Sequence, residues 1–392
     1  MTQENSFFIE ILADHLSKRK TEMRIDINWR IIVDLARKHQ VEGIVYHQCK
    51  SFIPNPFRLV FEKAYSASLY YYKNRQYDLT ILLDNFKNEK IPVITVKGVT
   101  VAKYYPVPLL RTMGDTDLIV PRNLKTNAGQ VLRKLGYTLE FQFSGKEEGY
   151  IHQGISYDLH HQLIYDEAIT LPEHKAFFNS CWNYVSNGEL DHSFHFLFLL
   201  AHLRKHLMNE GVGIRQFMDL AVIANQDTSL SWDWIRKMLP ELRMERFAEV
   251  CFSLIERWFG IRCPLTNSKL DDIFVENATK KILANGVFGF DDKSNQNNVI
   301  TNQIRQYHGM RVFGRIKLIL KRAFPGYKEM CGGEASAFLK GKPWLLPVAW
   351  IYRFSLMFSG KKTSGKKILS QILISGKKMD SREEELRHWG LL

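Results

Sequence analysis

Val96-Lys97-Gly98, followed further along by Gly114-Asp115-Thr116-Asp117-Leu118-Ile119-Val120, is the part of the chain whose reading decides the fold. The run Ile91-Pro92-Val93-Ile94-Thr95-Val96 is short and β-branched and ends on Lys97-Gly98, so it reads as a strand running into a turn. Val99 to Tyr105 fits one or two helical turns before Pro106 and Pro108, and Asp117-Leu118-Ile119-Val120 reads as a second strand closed by Pro121. Side chains alternate along a strand, so Asp115 and Asp117 share one face and Thr116 and Leu118 take the other. Two like charges so close repel unless a cation sits between them. Magnesium, a hard ion that prefers oxygen ligands, is the natural occupant.

Working outward, Asn123 to Leu135 reads as a helix with Gly136 at its C-terminal end. Tyr137–Phe143, Gly149–His152 and Ile155–His160 then read as three strands of a meander with turns at Gly149 and Gly154. The last of these supplies a third carboxylate. In Ile155-Ser156-Tyr157-Asp158-Leu159-His160 the alternation puts Asp158 with Ser156 and His160 on one face. If that strand neighbours Asp115 and Asp117, the three acids complete a two-ion magnesium site able to align an in-line attack on a phosphate. Lys97-Gly98, opening a helix, would offer backbone N–H groups to a phosphate, and Lys97 and Arg111 would add charge against a triphosphate.

The flanks are helical. Phe8, Ile11, Leu12 and Leu16 form one apolar stripe and Trp29, Ile32, Val33 and Ala36 another, and after a break at Ser51–Pro56 a tyrosine-rich helix runs from about Arg58 to Asn88. Tyr65, Tyr70, Tyr71, Tyr72 and Tyr77 are expected to be its packing aromatics. Helical spacing returns over Phe194–Leu207, Arg215–Ala224, Trp232–Leu239 and Arg246–Phe259, and the polar stretch Asp291–Asn298 reads as an exposed loop.

Composition narrows the class. A chain of 392 residues with 45% hydrophobic and 24% charged residues is long enough for two or three domains and excludes wholesale disorder. The five cysteines (Cys49, Cys181, Cys251, Cys263, Cys331) lie far apart with no Cys-x-x-Cys pair, which argues against a disulfide scaffold or cysteine zinc site and fits a reducing cytoplasm. The first residues, Met1 to Ser6, carry no basic segment of a secretory signal. The longest apolar run, Trp344–Phe358, is broken by Pro347 and Arg353 and falls short of a transmembrane segment, which needs about 20 residues. Of the net charge of +13, +12 lies in residues 303–392, where 18 Lys/Arg face 6 Asp/Glu. That tail is the candidate contact for a polyanion, whether nucleic acid or an anionic surface.

The ordered set of strand, Lys-Gly turn, Arg111, Asp-x-Asp strand, helix ending in Leu135-Gly136-Tyr137 and a β-run with Asp158-Leu159-His160 resembles the uncharacterised nucleotidyltransferase family of the DNA polymerase β-like nucleotidyltransferase superfamily. His202-Leu203-Arg204-Lys205-His206, Gly213-Ile214-Arg215 and Asp219-Leu220-Ala221 are similar to the helical segment that follows the catalytic sheet there, and Phe324-Pro325 and Trp344-Leu345-Leu346-Pro347 to its C-terminal region. The resemblance implies an α+β fold with a small mixed β-sheet core and helices, flanked by N-terminal and C-terminal helical regions. The division is then 1–88 helical, 89–185 catalytic core, 186–300 helical and completing a nucleotide cleft, and 301–392 basic and helical. Asp115 and Asp117 would bind metal, Asp158 would be the third acid and the base for an incoming hydroxyl, and Gly98 would hold the phosphate turn. The superfamily usually has Gly-Ser or Gly-Gly where this chain has Lys97-Gly98-Val99, so Lys97 or Thr100 would replace the serine's contact with phosphate. The implied reaction moves an NMP from an NTP such as ATP to an acceptor the sequence does not identify, with two Mg²⁺.

His202 and His206, at i and i+4, suit a zinc pair, but the metalloprotease signature needs Glu where Leu203 stands. They are read instead, with Lys205 and Arg215, as lining or supporting the nucleotide cleft, and Asp219 as the i+4 partner of Arg215. Gly360–Lys367 nearly spells a phosphate-binding loop but lacks the Ser/Thr after the lysine, and is read as a basic loop. Two other readings remain open: a binder of nucleic acid or anionic surfaces built on a degenerate nucleotidyltransferase core, and peripheral membrane attachment through Trp344–Phe358 and the lysine pairs beyond.

Overall fold

Helix formation at the N-terminus follows the apolar stripes. α1 (Gln3–Leu16) is capped by Thr2, whose hydroxyl accepts from the Asn5 N–H, and it buries Phe7, Phe8, Ile11 and Leu12. α2 (Trp29–His39) is capped by Asn28 and stops where Gln40 turns left-handed at φ 53°. α3 (Glu42–Cys49) follows, and then α4 (Asn55–Asn88), a 34-residue helix with proline in its first turn. The tyrosines of α4 divide, contrary to expectation. Tyr70, Tyr71 and Tyr77 are exposed, because this helix buries only one narrow stripe, Phe61, Arg75, Leu79, Leu82 and Phe86.

The computed structural model describes residues 1–143, 146–165, 167, 169–266, 269–287, 320, 324–330, 338–339, 341–358 and 376–392. Half of the basic segment 303–392, including the near phosphate-loop at 360–367, lies outside the described residues, as do the polar stretch 291–298 and Cys331. Among the described residues no helix is long and apolar enough to cross a membrane.

The chain divides into two compact units. The first comprises Met1–Leu207, Gly211–Asp292 and His388–Leu391. Its centre is a five-stranded mixed sheet in the order β1-β2-β5-β4-β3. β1 covers only Ile94–Val96, since Pro92 has no N–H to give to a ladder, and it pairs antiparallel with β2 (Asp115–Ile119). α5 (Gly98–Ala102) lies between them. α6 (Lys125–Lys134) carries the chain over to the antiparallel meander β3 (Thr138–Phe143), β4 (Glu147–His152) and β5 (Ile155–His160), and β5 closes parallel against β2. The α+β architecture read from the sequence is the one observed.

One face of this sheet is sealed. Leu79, Leu82 and Phe86 of α4 and Ala128, Val131 and Leu132 of α6 pack on Leu118, Val120, Tyr157 and Leu159. Each fully buried Leu or Phe there contributes about 1.5–3 kcal/mol. Polar groups on that face are paired: Asp78 of α4 accepts from the Tyr137 and Tyr157 hydroxyls, and Arg75 donates to Thr116 Oγ1 at 3.1 Å and to the Gly114 carbonyl at 2.9 Å. α4 therefore pins the backbone leading into β2 from the side opposite the acids.

Beyond the sheet come α7 (Pro172–Phe178), a small hairpin of β6 (Val185–Ser186) and β7 (Glu189–Leu190), and α8 (His192–Met208). α9 (Ile214–Gln226), α10 (Trp232–Glu241), α11 (Glu245–Phe259) and α12 (Asp272–Asn285) complete the helical part. α7, the hairpin and α12 have no counterpart in the reading from sequence.

The second unit comprises Met208–Glu210, Lys293–Arg387 and Leu392. Its described part includes a helix Leu346–Phe358 and a turn Tyr327–Met330, packed through Met330, Leu339 and Ala349. Trp350 Nε1 donates to the Pro325 carbonyl at 2.9 Å, so the Phe324-Pro325 motif and the helix after Trp344 are parts of one small cluster.

Candidate active site

The open face of the sheet carries the acids. In the parallel β2–β5 ladder Asp117 lies opposite Asp158, and Asp115 opposite Ser156, so the three carboxylates emerge side by side. Asp158 hydrogen-bonds Asp115. Burial, then the charges of Asp115 and Asp117, push the Asp158 carboxyl up to about 8, so at neutral pH it carries the proton of that contact. Burial also opposes the charge of Asp117, but the Lys97 ammonium outweighs it, with help from His160, and holds this carboxyl well below the usual carboxylate range. Lys97 Nζ stands 2.7 Å from Asp117 Oδ1. His160 Nε2 lies 3.2 Å from the same oxygen, without the angle of a hydrogen bond.

The turn that delivers Lys97 differs from expectation in one respect. The residue with left-handed backbone is Lys97 itself, at φ 59° and ψ −126°, whereas Gly98 has no positive φ. Such a pair of angles belongs to the first central position of a type II′ turn, where glycine is the rule. Glycine is needed at position 98 for a separate reason: a Cβ there would sit 2.8 Å from Arg111 Nη1. The strained turn is held by His195 of α8, whose Nε2 accepts from the Lys97 N–H at 3.0 Å. Burial keeps this imidazole neutral down to about 4, so Nε2 is free to accept.

Arg111 does not face the acids as a free phosphate ligand. Its guanidinium is bound in two-pronged fashion by Asp219, with Nη2 to Oδ2 at 2.6 Å and Nε to Oδ1 at 3.1 Å, and the Tyr105 hydroxyl donates to the same carboxylate at 2.7 Å. Asp219 is thus the partner of Arg111 and not of Arg215. Arg215 donates instead to Thr112 Oγ1 at 2.8 Å and to Gln40 Oε1 at 3.1 Å, and so ties α9 to the loop before β2. Thr100 Oγ1 donates to the Thr95 carbonyl at 3.0 Å and lines a different cavity, together with Tyr104, His192 and Asp227.

Over the acid face lies a cleft with about 710 Å³ of open space, lined in part by Lys97, Asp117, His160, Phe198, His202 and Lys205. α8 presents Phe198, Ala201, His202 and Lys205 to it, the i, i+3, i+4, i+7 stripe of one helix face. His202 and His206 approach with their Nε2 atoms 2.9 Å apart, so one imidazole donates to the other. Burial, then Lys97 and His206, drives His202 well below the usual histidine range, so it is neutral. Lys205 pairs with Glu167 at 2.8 Å.

Among the described residues no three His, Cys, Asp or Glu side chains are gathered tightly enough to hold an ion as they stand. The acids are neutralised from within, by the ammonium on Asp117 and by the proton between Asp158 and Asp115. The oxygen-only donor set of the three acids is of the kind that magnesium prefers. Sequence reasoning missed His195 and Arg75. A single histidine inside the apolar run Phe194–Leu200 and a single arginine on the buried stripe of α4 were the available signals.

No curated protein and no solved structure matches the chain. The model of the family described as uncharacterised nucleotidyltransferase matches residues 26–260, from the segment just before α2 to the end of α11, a span containing all three acids, Lys97, Gly98 and the helical residues of the cleft. The chain belongs to this nucleotidyltransferase family.

Proposed function

We propose that the protein transfers a nucleoside monophosphate from an NTP to a hydroxyl or phosphate of an acceptor, releasing pyrophosphate. The observation that carries this reading is the in-register pairing of Asp117 with Asp158, with Asp115 hydrogen-bonded to Asp158. Asp115, Asp117 and Asp158 would hold Mg²⁺, which when bound neutralises phosphate charge and aligns the attacking and leaving oxygens. Lys97 binds the triphosphate by passing its ammonium from Asp117 to phosphate oxygens, and His195 holds the turn in the geometry this requires. Asp158 would serve as the base for an incoming hydroxyl once it has given up the proton it carries here, a loss that the charge of bound Mg²⁺ would favour. Arg111 has a positioning role: locked to Asp219, it packs against Gly98 and shapes the turn. The cleft under α8 receives the remainder of the substrates, and family membership supports a nucleotide as one of them.

The test is pyrophosphate release from ATP, CTP, GTP and UTP with Mg²⁺, beside calorimetric binding of a non-hydrolysable NTP. Asp117→Asn should lower turnover by about 100-fold or more, as expected when a group acting on the transition-state charge is removed. If none of the four nucleotides binds or releases pyrophosphate, the reading fails.

A further inference from the structure

Among the described residues of the first unit, each buried arginine makes two or more side-chain hydrogen bonds, with one exception. Arg111 has Asp219, Arg75 has Thr116 and the Gly114 carbonyl, and Arg215 has Thr112 and Gln40. Arg204 of α8 is only 6% exposed, yet it makes one hydrogen bond among the described residues, at 3.4 Å, from Nη1 to the Ile169 carbonyl. No carboxylate among the described residues lies within ion-pair distance of it. The nearest acid to influence it, Glu173, is 3.8 Å from Arg243 and so already shared with another cation. Beside it, His174 donates Nε2–H to the Leu242 carbonyl at 2.7 Å and stays neutral, so it offers no counter-charge. Lys205, next along the helix, is held by Glu167.

A guanidinium buried without an anion is costly, and burial, then the neighbouring Arg243 charge, pulls the Arg204 pKa down to about 10. The side chain lines the cleft that Lys97 and Asp117 also line, and its Nε and Nη2 make no hydrogen bond among the described residues. Those two donors form the fork that matches a carboxylate or phosphate.

We infer that Arg204 seats an oxyanion, phosphate or carboxylate, carried by the acceptor substrate in the cleft that Lys97 and Asp117 also line. That the bearer is the acceptor rests on the proposed nucleotidyl transfer, while the oxyanion site itself does not.

The experiment titrates inorganic phosphate, acetate and a non-hydrolysable NTP with Mg²⁺ into the full chain and its Arg204→Met, Arg204→Lys and Asp117→Asn variants by calorimetry. Phosphate or acetate should bind the unmodified protein saturably, at least tenfold more weakly to Arg204→Met, and within twofold of unmodified to Asp117→Asn. The NTP analogue should bind Arg204→Met as it binds the unmodified protein. Melting separates a binding arginine from a structural one. Replacing an uncompensated buried charge by an apolar chain of similar length should leave the melting temperature equal or higher without anion, and phosphate should raise it only where position 204 is charged, including in Arg204→Lys. Absence of anion binding, equal binding by Arg204→Met, or a large fall in its melting temperature overturns the site. A tenfold loss of NTP affinity in Arg204→Met assigns the guanidinium to the triphosphate and overturns the acceptor's claim. If pyrophosphate release fails while the phosphate result holds, the transfer reading falls and the oxyanion site stands.

Discussion

Lys97 combines a backbone conformation that costs a side-chain-bearing residue of order 1–3 kcal/mol with an ammonium placed 2.7 Å from Asp117. Neither follows from the other: glycine would take the turn without strain, and a lysine on relaxed backbone would not enter the acid cluster from this side. Strain retained at a charged residue of a candidate site is the pattern expected when the conformation serves the chemistry. The two contributions separate by mutation. Lys97→Gly and Lys97→Ala both remove the ammonium, and only glycine relieves the turn. Lys97→Gly should be more stable than Lys97→Ala by about 1 kcal/mol or more in urea unfolding, against the usual order in which alanine gains about 0.4–1 kcal/mol over glycine. Equal midpoints would mean that the turn relaxes freely and the strain has no role.

At the scale of elements, the site depends on sheet register, and register depends on the face that is packed. A one-residue slip of β5 against β2 would turn Asp158 into the apolar layer and Tyr157 out of it, so the packing of Tyr157 and Leu159 against α4 and α6 is what holds Asp158 beside Asp117. The tightness of that layer is testable at Gly129 on α6. A Cβ there would stand 2.5 Å from the hydroxyl oxygen of Tyr150, a fully buried ring whose hydroxyl donates to Glu148 at 2.8 Å. Helix propensity alone favours alanine over glycine by about 1 kcal/mol. The clash should win, with Gly129→Ala losing about 1–3 kcal/mol in chemical denaturation; a stabilised variant would show that the layer has room to give. Alternation along short β-runs made the acids and their common face legible in the sequence, because period and side are local properties of a strand. Long-range partners were not legible. The i+4 rule pointed from Asp219 to Arg215, while the fold brings in Arg111 from the far side of the sheet connection, and no spacing announces a lysine in a glycine's conformation or a histidine that accepts from it.

For the molecule as a whole, burial of ionisable groups sets how stability responds to pH. Burial holds His15 down to about 3 and His39, His174 and His195 to about 4. Among the described residues neither ring nitrogen of His15 has a hydrogen-bond partner. In the unfolded chain each takes a proton near 6.5, so between about 6.5 and 4 the unfolded state binds more protons and stability falls as pH falls. Asp158 acts in the opposite direction. Its folded carboxyl titrates near 8 and its unfolded one near the ordinary aspartate value of 3.8, so across that window the folded state holds the extra proton, and stability falls as pH rises towards 8. The buried cysteines, raised above their ordinary range, add to the loss only at higher pH. Stability should therefore peak at about pH 6–7. Asp158→Asn isolates the alkaline side, because the amide can still donate to Asp115 and cannot ionise. Near pH 4 the variant and the unmodified protein should have the same unfolding free energy. Their difference should open steadily as pH rises and reach about 1–3 kcal/mol in favour of the variant at pH 8.5, while turnover is lost. Urea titrations at half-unit intervals of pH measure this, and parallel profiles for the two proteins would show that the three acids share no proton in the folded state.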